Sequence, residues 1–263
     1  MSKIIIQTIQ ELINQVINDK QIKKSDIESI GMCFPGTVTD TTVIKAENLG
    51  IENLSIVERL QNDINVPMHL ANDAKCAAIA EKEYGSLKGY SDSLFLIVGT
   101  GVGGAAFTDG KLLKPKRYPG FEFGHMVIKE NGIKCNCGRE GCFECYASMK
   151  RLKEKISNSF SLNTIDGKRI KEFMLENREN QELEKILEIY VKDLTTGIAN
   201  LINIFEPEVI SIGGSFAHYK EILLEKLERE LNLKKELYNK ENIPKIVLAE
   251  LKNDAGIIGA AMI

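Results

Sequence analysis

The amino-acid sequence predicts a mixed-sheet α/β protein, and three observations carry that expectation. Short apolar runs alternate along the chain with amphipathic stretches of helical period. Hairpin signals interrupt the alternation, so the sheet is not purely parallel. With 263 residues, 43% of them hydrophobic and 27% charged, the chain can bury a substantial core as one large or two small domains.

From Ile4 to Ile17, the residues Ile5, Ile9, Leu12, Ile13 and Val16 recur at three- and four-residue steps, as in an amphipathic helix. Ile27 to Phe34 reads as a buried strand that stops at the turn pair Pro35-Gly36. Val66 to Leu70 is a second short strand, and Ala71-Asn72-Asp73 leads from it into a helix over Ala74 to Tyr84, closed by Gly85 and Gly89. Ser93 to Val98 is a strand that opens onto the glycine loop Gly99-Thr100-Gly101-Val102-Gly103-Gly104. Ala105 to Phe107 and Lys111 to Leu113 flank Asp109-Gly110, which predicts a hairpin with a primed turn. Helical patterns follow at Tyr146–Asn158, Asp166–Glu176 and Gln181–Phe205. Val209 to Ile212 is a strand, Gly213-Gly214-Ser215 a tight turn, and Tyr219 to Leu231 a charged helix. The chain closes with a polar loop over Lys234 to Asn242, a strand over Lys245 to Leu251 and a small-residue helix over Ala255 to Met262.

Bulk properties narrow the function classes. The formal net charge of −3 gives no electrostatic reason to expect nucleic acid or an anionic membrane as partner. The apolar trio near the N-terminus is too short for a secretory core, and no run approaches the ~20 apolar residues of a membrane span. The expectation is a soluble cytoplasmic protein. Of the six cysteines, Cys33 and Cys76 stand apart, whereas Cys135, Cys137, Cys142 and Cys145 are clustered. Clustering in a large chain without an export signal favours metal over disulfides.

Cys135, Cys137 and Cys142 share one glycine-bearing loop, and His125 lies a short way upstream. Three thiolates and an imidazole are a closed tetrahedral set for zinc, with no position left for water, so the metal's expected role is structural. Unligated thiols are the bland alternative, and Cys33, Cys76, Cys145, His69 and His218 have only a filler reading. The run Gly99-x-Gly101-x-x-Gly104 matches a dinucleotide pattern literally, but a strand follows where that pattern needs a helix. Such a loop can still offer backbone N–H groups and the Thr100 hydroxyl to phosphate oxygens; a ligand-free glycine hairpin is the alternative. Asp73 sits where a strand gives way to a helix, a place for a catalytic carboxylate or simply for a helix N-cap. Glu122 and Glu144 flank the cysteine loop and read either as solvated carboxylates or as groups held in place by it.

Seven stretches together carry a resemblance: Phe34-Pro-Gly36, Ala71-Asn-Asp-Ala74, Gly99-Thr-Gly-Val-Gly-Gly104, Glu122-Phe-Gly-His125, Cys135-x-Cys137-Gly-x-x-Gly-Cys142-x-Glu144, Ile210-x-x-Gly-Gly-Ser215 and Ala255-Gly-Ile-Ile-Gly-Ala-Ala261. In this order, over nearly the whole chain, they resemble the ROK family of bacterial sugar kinases and related repressors. The resemblance implies a two-lobed actin-like ATPase (ribonuclease H-like) α/β fold. Its small lobe would span 1–92 and its large lobe, with the zinc loop, 93–252; a C-terminal helix at 253–263 would pack back on the small lobe. It implies ATP-dependent phosphorylation of a hexose 6-hydroxyl, with glucose first and N-acetylmannosamine or another hexose next. Asp73 would be the general base, and Asn72, Glu122, His125 and Glu144 would bind the sugar hydroxyls. Thr100, Gly101, Gly213, Gly214 and Ser215 would contact ATP, with magnesium arriving alongside it. His125, Cys135, Cys137 and Cys142 would hold structural zinc, and the protein would be a homodimer. Family kinases open with an Asp-x-Gly-Gly-Thr phosphate loop; this chain opens at the helix that should follow, so the small lobe reads as truncated at its N-terminus. Phe121 stands where kinases usually have a small residue, which would narrow the pocket. A catalytically impaired sugar-binding protein is the alternative. A DNA-binding repressor would need a helix-turn-helix and a basic patch, neither of which the sequence contains.

Overall fold

The computed structural model describes residues 2–46, 49–61, 64, 66–116, 120–233, 237–238, 241 and 243–263. The chain divides into two compact units: Met1–Ala80, Lys114–Gly120 and Asn253–Ile263 form the first, Glu81–Leu113 and Phe121–Lys252 the second.

In the first unit, α1 (Ser2–Asp19) covers a small core with Ile5, Ile6, Ile9 and Ile13. Leu12 and Val16, expected on that face, are 56% and 55% exposed. The helical period turns them to the flank of the Ile5–Ile9–Ile13 line. Strand β1 (Ile30–Phe34) runs parallel to β5 (Met68–Asn72), with Ile30 opposite Met68 and Phe34 opposite Asn72. Between them come β2 (Thr37–Val38), β3 (Val43–Ala46) and β4 (Ile51–Leu54), a three-stranded antiparallel sheet, and then α2 (Ile56–Gln61). The sequence did not announce these elements, because strands of two to four residues are too short for a period to register. Helix α3 (Asp73–Tyr84) starts directly after β5. The last helix, here called α9 (Ala255–Ala260), is made of small residues because its neighbours lie close. A Cβ on Gly259 would stand 1.8 Å from the Cys76 carbonyl oxygen, and one on Gly31 would stand 1.6 Å from that of Ala260.

The second unit is built on a five-stranded sheet. Its order is β10 (Lys245–Leu248), β9 (Val209–Gly213), β6 (Ser93–Val98), β7 (Val102–Thr108), β8 (Lys111–Leu112). The first three run parallel, and β7 is antiparallel to both β6 and β8, which is the mixed sheet the hairpin signals predict. β6 and β9 are apolar along nearly their whole length, as befits strands covered on both faces. Asp109 and Gly110 take φ of 52° and 74°, the primed turn an Asp-Gly pair favours. The helix expected over Tyr146–Asn158 is two: α4 (Glu144–Ala147) and α5 (Met149–Ser159). Ser148 separates them, its hydroxyl capping α5 by accepting the Arg151 N–H at 3.4 Å. Next come α6 (Gly167–Glu176), capped by Asp166, and the long α7 (Gln181–Phe205), whose buried face forms the centre of the core. A 3-10 stretch over Gly214–Tyr219 takes the start of the helix expected from Tyr219, and α8 (Lys220–Leu233) follows. Most of the polar loop expected over 234–242 lies outside the described residues.

A buried carboxyl group ties three parts of this unit together. Glu81, fully buried, accepts the Ser86 N–H (2.8 Å) and hydroxyl (2.7 Å) on one oxygen and the Leu251 N–H (2.7 Å) on the other. The Ser86 hydroxyl also lies 2.7 Å from that of Ser211 on β9. Each polar atom finds a partner, as burial demands. Among the described residues no helix is long and apolar enough to cross a membrane.

Candidate metal and substrate site

The cysteine loop owes its shape to glycines and short bridges. Val127 pairs with Cys142 and Lys134 with Glu140, while the Cys135 N–H donates to Arg139 and the Gly138 N–H to Cys135. Gly138 and Gly141 hold φ of +87° and +79°, where a side chain would be strained; at Gly141 a Cβ would also lie 1.7 Å from the Lys129 carbonyl oxygen. The Tyr146 hydroxyl accepts the Ile133 N–H at 2.7 Å and braces the loop from α4.

This folding brings together His125, Cys135, Cys137 and Cys142, whose ligand atoms all lie within 4.8 Å of one another. Cys137 Sγ is 3.6 Å from Cys142 Sγ, and Cys135 Sγ is 3.7 Å from His125 Nδ1. Sulfurs bound at ~2.3 Å around a tetrahedral zinc stand about 3.8 Å apart, and the Cys137–Cys142 pair lies close to that spacing. All six cysteines are free thiols. Burial raises the thiols of Cys135 and Cys142. At Cys137 burial acts the same way, but hydrogen bonds from the Arg139 backbone and guanidinium and from the two neighbouring thiols outweigh it, bringing its pKa down to about 6. A metal held by this set would displace protons from the thiols that burial raises.

Glu144, the first residue of α4, points its carboxylate at this cluster, with Oε1 3.2 Å from Cys135 Sγ and 3.7 Å from His125 Nδ1. Glu122 has an exposed side chain, and its carbonyl accepts the His125 N–H at 3.0 Å, which starts the short 3-10 turn Phe123–His125. Phe121 just before it holds φ +57°, a conformation that favours glycine, and packs on the core of the second unit.

The glycine segments converge on one end of the sheet. β6 and β9 are parallel neighbours with Ile97 opposite Gly213, so Thr100 and Gly101 emerge beside Gly213, Gly214 and Ser215. Gly214 takes φ +74°, and a Cβ there would meet the Val98 carbonyl oxygen at 2.8 Å. The carboxyl ends of adjacent parallel strands are where open α/β sheets bind ligands.

Asn72 and Asp73 belong to the first unit, at the β5–α3 junction. Asn72 caps the helix: its side-chain oxygen accepts the N–H of Ala74 (3.0 Å) and Lys75 (3.4 Å), and its amide nitrogen donates to the Gly36 carbonyl (2.9 Å). The N-cap is therefore Asn72, where the sequence offered Asp73 for that role. The Asp73 carboxylate accepts the Ala74 N–H at 2.9 Å and is open to solvent on one side. Desolvation by the surrounding protein still lifts its pKa above the ordinary aspartate range, against the opposing hydrogen bonds from Ala74, its own N–H and Asn72.

A family model described as the ROK family matches residues 2–263. A xylose repressor from Caldicellulosiruptor bescii is 30% identical over 92% of this chain, which spans 64% of the repressor's length. A glucokinase from Thermotoga maritima is 30% identical over 80% of this chain and 70% of its own. The crystal structure of a ROK family glucokinase from Streptomyces griseus, in complex with glucose and AMPPNP, superposes with a TM-score of 0.76 at 26% identity, covering 90% of this chain and 81% of that one.

Proposed function

The chain belongs to the ROK family and has the actin-like ATPase fold of its sugar-kinase neighbours, and from that premise we propose that it transfers the γ-phosphoryl group of ATP to the 6-hydroxyl of a hexose. Glucose is the first candidate, then N-acetylmannosamine or another hexose. The observation that carries this reading is the division of labour at the β5–α3 junction. Asn72 carries the cap, so Asp73 only shares the Ala74 N–H with it, which leaves its raised, solvent-facing carboxylate free for a chemical role. Asp73 takes the proton of the attacking hydroxyl as the new P–O bond forms; such a positioned base contributes roughly 10²- to 10⁴-fold.

Glu122, His125 and Glu144 hold the sugar hydroxyls, since each carboxylate accepts two O–H donors at once. The Cys₃His set holds zinc, which when bound supplies rigidity rather than a nucleophile, because its shell is closed. His125 then keeps one ring nitrogen for the sugar. Thr100, Gly101, Gly213, Gly214 and Ser215 receive the nucleotide at the sheet's carboxyl edge, and magnesium comes with ATP. ADP release, coupled to a dehydrogenase and followed with glucose and with N-acetylmannosamine, tests the proposal. Turnover with a hexose supports it, and ATP binding without turnover of any hexose refutes it.

A second reading, a sugar-binding protein without catalysis, is favoured by the repressor relative. Calorimetry separates the two: sugar binding with no ATP binding assigns the second.

A further inference from the structure

His125 and Cys142, two of the four clustered groups, sit on stretches that run side by side. The Phe143 N–H donates to the Met126 carbonyl at 2.7 Å, Val127 bridges to Cys142, and the Ile128 N–H donates to the Gly141 carbonyl at 2.9 Å. Lys129 closes this pairing. Its N–H reaches the same Gly141 carbonyl at 3.4 Å, and its own carbonyl oxygen packs so close that a Cβ on Gly141 would stand 1.7 Å from it. The side chain then leaves the loop. Its ammonium lies 2.7 Å from one Asp193 oxygen and 2.8 Å from the other, and 4.4 Å from the centroid of the Tyr146 ring. Asp193 belongs to α7, and its side chain is 14% exposed. Tyr146 belongs to α4, and its hydroxyl accepts the Ile133 N–H on the far arm of the same loop. All these groups lie in the second unit.

We propose that Lys129 is the positioning residue of the cysteine loop: by locking the loop backbone to α7 and α4, it keeps the His125 and Cys142 arms paired and so strengthens metal binding at the Cys₃His set. An ion pair in full solvent contributes little, because water and salt screen it. Here the carboxylate is mostly covered, both of its oxygens face the ammonium, and the face of an aromatic ring also takes the cation. The anchor matters because the bridges that shape the loop involve residues open to solvent, namely Val127, Lys134 and Glu140. Such bridges fray, whereas α7 forms the centre of the core and gives the loop a fixed point. A loop that frays binds metal only in its paired form, and its apparent affinity falls with the fraction paired. The metal half of this inference rests on the zinc reading proposed above, whereas the anchoring of the loop does not.

Two measurements on the full chain test this: zinc affinity by competition with a chromogenic chelator, and amide exchange over residues 126–146 before and after chelation. Lys129→Met keeps an unbranched stem and removes the charge. It is expected to weaken zinc binding about three- to ten-fold, the scale of a partly covered ion pair joined to a cation–ring contact. Exchange over 126–146 should quicken several-fold, with exchange in α8 unchanged. Asp193→Asn, the second variant should the first fail to fold by circular dichroism, is expected to act the same way. Lys129→Arg can still pair with Asp193 and stack on Tyr146, so it should restore wild-type behaviour. A side chain that merely adds stability would lower the unfolding midpoint and leave zinc affinity and local exchange as they are. That result in folded Lys129→Met, or an equal loss in Lys129→Arg, would overturn the proposal. If the wild type binds no zinc, the metal reading and its share of the proposal fall together, and exchange alone decides the rest: faster exchange in Lys129→Met upholds the anchor, and equal exchange overturns it.

Discussion

Replacing Asp73 with Asn separates a catalytic carboxylate from a structural one by magnitude. The change keeps size and shape, and the new amide oxygen can still accept the Ala74 N–H that Asp73 holds at 2.9 Å. The cap itself belongs to Asn72, so the ~1 kcal/mol that an N-cap contributes is not at risk. What the substitution removes is a negative charge in the first turn of α3, typically 0.3–1 kcal/mol of favourable helix-dipole interaction. An opposing effect comes from the raised pKa of Asp73. A carboxyl whose folded-state pKa lies above its unfolded value contributes stability in full below the unfolded pKa, and that contribution is lost as pH rises through the folded value. At neutral pH the ionised Asp73 therefore works slightly against folding, and the two effects partly cancel. Thermal unfolding of Asp73→Asn at pH 7 should fall within about 1 kcal/mol of the wild type, whereas kcat for hexose phosphorylation should fall by roughly 10²- to 10⁴-fold. In the wild type kcat/KM should rise with pH along an acid limb centred above the ordinary aspartate range, and that limb should vanish in the variant. Unchanged kcat in a folded Asp73→Asn protein would refute the general-base role, as would a large loss of stability with activity preserved per folded molecule.

Further outcomes follow from the second unit. If the Cys₃His set holds zinc as proposed, Cys142→Ala, which removes a fully buried thiol of that set, should abolish a one-to-one zinc content measured by atomic emission; because burial raises Cys135 and Cys142, zinc affinity of the wild type should climb with pH, with proton release visible by calorimetry in buffers of different ionisation enthalpy. Glu81→Ala strands the Leu251 and Ser86 N–H groups and should cost about 2–6 kcal/mol at ~1–3 kcal/mol for each unsatisfied group, read from denaturant unfolding, while Glu81→Gln should cost less.

The Cys₃His cluster was legible in the sequence because its chemistry is local: three thiols on one glycine-bearing loop must lie within reach of one another, whatever surrounds them. The same holds for the Asp109-Gly110 turn, whose conformation depends on two residues, and for the long apolar period of α7. β2, β3 and β4 were not legible, since their two to four residues carry no period and only packing makes them strands. The break at Ser148 was hidden because a serine in a helical pattern becomes a cap only when the chain must turn. The sequence offered Asp73 as catalytic carboxylate or N-cap, and only the structure shows Asn72 in the capping role, its amide oriented by the Gly36 carbonyl. The sequence by itself determined the family, the α/β class and the membership of the Cys₃His cluster, because each depends on residue types at short spacing. Only the tertiary structure decided that Gly101 lies against Glu144 and that Glu81 joins Ser86 to Leu251. Such contacts between distant segments follow from how the sheet and helices pack, and no local pattern encodes them.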